Sequence, residues 1–250
     1  MAAARSPLTI TAAAVAGTCV LTVYGVLDST TYFRLRDAIL KAALDVPRAV
    51  IIDVTCMVVS APSAWAAFTS ARWQIDHWPD IPIALVCDKI ENHKSLRHNG
   101  ISRYIPVYWT VDAAIAALSG DDEQSYRRRA RAELPAGNSG ISRCRELAEQ
   151  WLTAWSKTDY IAVASAVATV LVENALTQTG GALSLRLESK GSTVAVAVQY
   201  PSTAVVKHRE AADCGIHGLE RVAATCRAWG SIPTSSGTAL WVVIGPESCF

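Results

Sequence analysis

Two short, uninterrupted apolar runs constrain this chain most: AVIIDV at residues 49–54 and PIALVC at 82–87. A strand with one wet face alternates apolar and polar side chains. A continuous run of this length therefore predicts a strand covered on both faces, as in a parallel sheet flanked by helices. The intervening segments fit that reading. Asp28 or Ser29 can cap a helix over 30–44, with Phe33, Ile39, Leu40, Ala43 and Leu44 on its inner side and Pro47 closing it. Further helices are predicted over 62–77, 91–98 and 111–118, with a short strand at 105–109.

The run ITAAAVAGTCVLTVYGVL, residues 10–27, is long enough to cross a membrane as a helix. Thr9, Thr11, Thr18 and Thr22 interrupt its apolar character, Gly17 sits mid-segment, and only Arg5 precedes it. Two strands joined by a turn at Ala16 and Gly17 are the better reading. The order becomes β-β-α-β-α-β-α-β-α, an α/β layer over about the first 120 residues.

With 250 residues, the chain has room for two compact cores. The stretch SGDDEQSYRRRARAELPAGNSG, 119–140, runs from acidic to basic and then to Pro and Gly, and reads as a boundary. The expected organisation is a first domain at 1–120, a linker with a possible first strand at 121–140, and a second domain at 141–250. Arg127, Arg128, Arg129 and Arg131 could bind nucleic acid or phosphate, but a solvated linker face is the better reading, since no aromatic residue interleaves them. Beyond the boundary the pattern predicts helices at 142–155 and up to about 177, and strands at 182–188 and 193–200. A glycine-opened helix at 215–229 and a terminal hairpin complete an α+β domain with its helices on one face of an antiparallel sheet.

A hydrophobic share of 51% with 18% charged residues excludes a disordered chain. The net charge of +1 gives no global attraction to nucleic acid or anionic membrane, so neither is an expected partner. Seven scattered cysteines without a C-x-x-C pair indicate reduced thiols in a cytoplasmic protein. The five histidines lack metal-site spacing.

In VLVENALTQTGG, 170–181, Asn174 lies three past Leu171 and four past Val170, on the apolar stripe of its helix. One reading is a buried amide satisfied by neighbouring backbone, with Glu173 on the helix flank. The other is chemical: a carboxylate beside an amide oxygen can activate a nucleophile and hold hydrated Mg²⁺. Downstream, Gly215 and Gly218 open a helix, where free N–H groups attract phosphate, and Gly237 with Thr238 supplies a second close backbone approach.

The order E-N-A on a helix, a strand pair, a loop, G-x-x-G-L at a helix start and G-T before a terminal strand resembles the GHKL ATPase fold over about residues 126–245. The likeness is greatest to the bacterial anti-sigma-factor serine kinases. It implies Glu173 as base, Asn174 as Mg²⁺ ligand, and Gly215, Gly218, Gly237 and Thr238 near the phosphates of Mg-ATP. Where the family carries an adenine-binding aspartate this chain has Tyr200 and Pro201. Losing such a bond costs about 1.5–3 kcal/mol, so the expected Mg-ATP binding is weak or absent.

LTVYGVLDSTTYFRLRDAI, AVIIDV, PIALVC and PVYWTVDAAIAAL, within 8–118, resemble a STAS domain, the fold of anti-sigma-factor antagonists. The phosphorylated hydroxyl of that family would fall on Pro62. Ser63 is a possible phosphosite and Ser60 another, against the simpler reading of both as capping or packing serines. Trp65, Trp73, Trp151, Trp155, Trp229 and Trp241 read as core or interdomain filler, with Trp65, where the family usually has leucine, alternatively a docking residue.

Together these resemblances imply a regulator in a partner-switching pathway. It would bind STAS or anti-sigma-factor proteins or a sigma factor, and its two domains would dock on each other within one chain. The alternatives are an active serine kinase and a purely structural pseudo-module.

Overall fold

The computed structural model describes residues 7–118, 127–201, 226–234 and 236–248. The chain divides into two compact units, Met1–Asp121 and Asp122–Phe250.

In the first unit, β1 (Thr9–Val15) and β2 (Thr18–Leu27) form an antiparallel hairpin. Ala16 and Gly17, with φ of 50° and 77°, make its two-residue turn. Positive φ at both central positions matches the twist of the flanking strands and suits glycine best. Next come α1 (Tyr32–Leu44), β3 (Val50–Asp53), β4 (Met57–Val59), α2 (Ala66–His77), β5 (Ile83–Val86), α3 (Ile90–His98), β6 (Val107–Tyr108) and α4 (Val111–Leu118). The sheet runs in the order β1-β2-β3-β5-β6, with β2, β3, β5 and β6 parallel and β4 paired to the far end of β2.

The two apolar runs are the central strands, and Val50, Ile51, Ile52, Ala84 and Leu85 are fully buried. Ile51, Val20 and Val86 pack under α4 through Ala114. Side chains alternate along a strand, so Val50 and Ile52 face the opposite layer, where α1 packs against β2, β3 and α2. Three expectations need correction. The helix predicted over 62–77 begins as a 3₁₀ turn, Pro62–Trp65, and β4 stands where only a connection was expected. Phe33 is 41% exposed, because α1 turns Leu35, Ile39, Leu40 and Ala43 inward instead.

The second unit contains β7 (Arg128–Leu134), α5 (Asn138–Ala154), α6 (Ile161–Gln178), β8 (Leu183–Lys190), β9 (Thr193–Pro201), β10 (Ala228–Pro233) and β11 (Gly237–Ile244). The strands form an antiparallel sheet in the order β10-β11-β9-β8-β7. Leu183, Leu185 and Leu187 of β8 join Val194, Val196 and Val198 of β9 and Leu240, Val242 and Ile244 of β11 in one core with α5 and α6. The helix α6 is long and apolar enough to cross a membrane, yet Ala164, Val167, Ala168, Leu171 and Val172 are buried in this core. Residues 228 and 229, expected to end a helix, instead begin β10. The linker expected at 121–140 supplies β7 and the first turn of α5.

Candidate functional site

A concavity in the first unit lies around the start of α2. It encloses about 560 Å³ and is lined on one side by Ser63, Ala66, Thr69, Arg72, Trp73 and Asp76, and on the other by Asn99, Ile101 and Tyr104. Its shape begins at Pro62. The residue before a proline is driven out of the helical region, and Ala61 is extended, with φ −132° and ψ 123°. Proline then opens the first helical turn, where its missing N–H leaves no hydrogen bond unmade. Helical spacing from Ser63 to Ala66, Thr69, Trp73 and Asp76 carries one stripe along the groove.

The opposite stripe is core. Trp65 is only 3% exposed, with its ring centroid 5.7 Å from that of buried Phe68. Trp73 is 66% exposed and Tyr104 is 65% exposed. Of the two readings of Trp65, core filler matches its burial and docking residue does not, whereas Trp73, expected as core or interdomain filler, is in solvent. Trp65 fills the core, and Trp73 stands on the groove wall. Periodicity finds the apolar stripe of α2 but does not say that a second aromatic stripe stays uncovered. Arg72, Asn99 and Tyr104 escaped sequence reasoning because Asn99 and Tyr104 reach the groove only through the fold of the segment after α3.

Arg72 pairs with Asp76 at 2.8 Å, and His77 Nδ1 lies 2.7 Å from the Trp73 carbonyl oxygen. The His77 ring centroid is 4.6 Å from that of Trp73, which restrains the indole. Burial pushes the Asp76 carboxyl up, against the opposing pull of Arg72. An exposed indole and phenol beside an ion pair form a surface suited to a protein partner, since aromatic residues and arginine are enriched where interfaces concentrate their energy.

Ser63 is exposed at this groove, directly after Pro62. Ser60 is tied to β2: its N–H donates to the Leu27 carbonyl at 3.1 Å, and its hydroxyl is 3.5 Å from the same oxygen.

In the second unit, Glu173 is exposed and Asn174 half-buried near the end of α6. The Asn174 amide donates to the Val170 carbonyl at 2.8 Å, so its donor side is used within its own helix. Gly237 pairs with Pro201, and Thr238, 6% exposed, with Tyr200. Tyr200 is buried in the core beneath the helices. Gly215 and Gly218 lie outside the described residues. Among the described residues, no three His, Cys, Asp or Glu side chains gather in a way that could hold a metal ion.

The arginine cluster is solvated only in part: Arg128, Arg129 and Arg131 are exposed, as expected of a solvated face, but the segment is a strand and Arg127 is drawn onto a buried carboxylate. Arg127 Nε donates to Glu188 at 2.7 Å, Arg129 Nε lies 3.5 Å from the same carboxylate, and Arg186 pairs with its other oxygen. The Glu188 side chain is 3% exposed and that of Arg127 8%. Burial, reinforced by neighbouring Arg127, pushes Arg129 down to about 10 despite Glu188. Arg131 donates to the Ser184 hydroxyl at 2.8 Å. Antiparallel pairing of β7 with β8 sets Arg129 directly opposite Glu188, which makes the cluster a cross-strand ion-pair network.

No protein-family model matches the chain, and no curated protein matches it. Solved structures similar to it include an anti-sigma factor antagonist from Mycobacterium paratuberculosis, at 20% identity and a TM-score of 0.40, covering 45% of this chain and 95% of that one. The anti-sigma factor antagonist SpoIIAA in its unphosphorylated form is 15% identical, with a TM-score of 0.37, covering 46% of this chain and 98% of that one. A variant of RsbS from Moorella thermoacetica is 13% identical, with a TM-score of 0.38, covering 44% and 94%. At these identities and scores, the likenesses assign no activity, ligand or partner to this chain.

Proposed function

We propose that this protein is a cytoplasmic regulator in a bacterial partner-switching pathway, working by protein–protein binding through the α2 groove of its STAS-like first unit. The carrying observation is the pair of exposed aromatics, Trp73 and Tyr104, flanking the groove at the helix start where the family resemblance places its switch residue. Pro62 occupies that switch position, so docking here is constitutive unless Ser63 takes the phosphate. The partner class is an anti-sigma-factor or STAS protein, or a sigma factor. The second unit is a GHKL-like module whose nucleotide site is degenerate, because buried Tyr200 replaces the adenine-binding carboxylate.

Calorimetric titration with Mg-ATP separates this reading from an active serine kinase. No heat, or binding weaker by tenfold or more than a micromolar site, is expected. Low-micromolar binding abolished by Asn174→Ala would sink it. Immobilised anti-sigma-factor or STAS partners from the source cell provide the positive arm: capture that survives Glu173→Ala and fails in Trp73→Ala/Tyr104→Ala supports groove docking.

A further inference from the structure

Sheet edges carry backbone N–H and C=O groups that can pair with another chain, and proteins blunt them with charge, proline, bulges or shortness. The described edges here differ in this respect. Strand β7 presents Arg128, Arg129, Arg131 and Glu133, β10 contains Gly230 and ends on Pro233, and β6 is only Val107–Tyr108. Strand β1 has none of these devices. Its sequence, TITAAAV, has no charge and no proline, and every residue except half-buried Ile10 is exposed.

The hairpin register determines which groups point outward. Val15 pairs with Thr18 across the two-residue turn, and such a turn closes on a hydrogen-bonded pair. Alternation along an antiparallel ladder then uses the N–H and C=O of Thr9, Thr11, Ala13 and Val15 toward β2, and leaves those of Ile10, Ala12 and Ala14 directed away from it.

We propose that β1 is a homodimerisation edge, pairing antiparallel with β1 of a second copy about a two-fold axis at Ala12. The strand Thr9–Val15 is centred on Ala12, so the symmetric register matches Ile10 with Ala14 of the second copy and Ala12 with its own counterpart. About six backbone hydrogen bonds form. Thr11 falls opposite Ala13 and Thr9 opposite the exposed Val15. No like charges meet, and Ile10, the bulkiest side chain, falls opposite the small Ala14, so the strand complements itself without a clash. The buried area is that of one strand, and the association is therefore weak and concentration-dependent.

Sedimentation velocity of the full chain over a wide concentration range tests this. The expected result is a reversible rise from monomer to dimer. Ala12→Lys places two ammonium groups opposite each other across the axis and lowers the association constant about tenfold or more. Ala12→Pro removes only an outward N–H, a tolerated edge position, and abolishes the dimer while circular dichroism keeps the parent spectrum. Should Ala12→Pro fail to fold, Ala12→Lys decides. A sedimentation coefficient flat with concentration overturns the proposal. So does a dimer indifferent to Ala12→Lys, or a monomer that gains mass only with a different protein.

Discussion

Trp65 and Trp73 lie eight residues apart on one helical segment, with opposite consequences for mutation. Trp65 is buried against Phe68, so Trp65→Ala should cost about 3–5 kcal/mol in urea unfolding. Trp73 is mostly in solvent, so Trp73→Ala should shift stability by less than about 0.5 kcal/mol while weakening partner capture by about 2 kcal/mol in a surface-binding assay. Glu188 is a different case, one carboxylate shared by Arg127, Arg129 and Arg186. Glu188→Gln removes the charge that offsets buried guanidiniums and should cost about 3–5 kcal/mol, read from the urea midpoint. The residue types at 127–131 announce their charge in the sequence. Their partner stands 61 residues downstream of Arg127, and no local pattern points to it.

Two helix starts show how elements depend on single positions. Strand β7 is followed by α5, where a Cβ on Gly140 would collide with the Pro135 carbonyl oxygen. The atom it meets is backbone and cannot swing aside as a side chain would, so Gly140→Ala should cost about 1–3 kcal/mol and lower the thermal midpoint. Ahead of α1, the Asp28 carboxylate accepts from the Thr30 hydroxyl at 2.6 Å, the Thr30 N–H at 2.9 Å and the Thr31 N–H at 3.1 Å. The Thr30 hydroxyl, then these N–H groups, hold that carboxyl below its ordinary range. A depressed carboxylate stabilises the fold above its unfolded pKa, and the contribution disappears as pH falls through the folded value. Acid unfolding of Asp28→Asn should therefore be less steep than that of the parent in the range where carboxylates protonate. Sequence reading placed a cap at Asp28 or Ser29, but the first α-helical residue is Tyr32. Asp28 stabilises the turn leading into the helix, a distinction made by backbone geometry rather than residue type.

At the scale of the whole chain, every described strand pairing stays within one unit, and the α5–α6 core contains residues of the second unit alone. Cutting between residues 121 and 122 should give two soluble fragments, each with a cooperative melt by circular dichroism. Insoluble or non-cooperative fragments would contradict separate cores. The sequence by itself determined the α/β order of the first unit apart from β4, the antiparallel pairing of the first two strands and the helices α5 and α6 of the second unit, because apolar period and turn residues act over a few neighbours. Only the tertiary structure decided that Trp73 stands in solvent while Trp65 does not, that the arginines close on Glu188, and that β1 is an unprotected edge. Those properties depend on which surfaces and backbone groups a distant segment covers, and local sequence does not encode that cover.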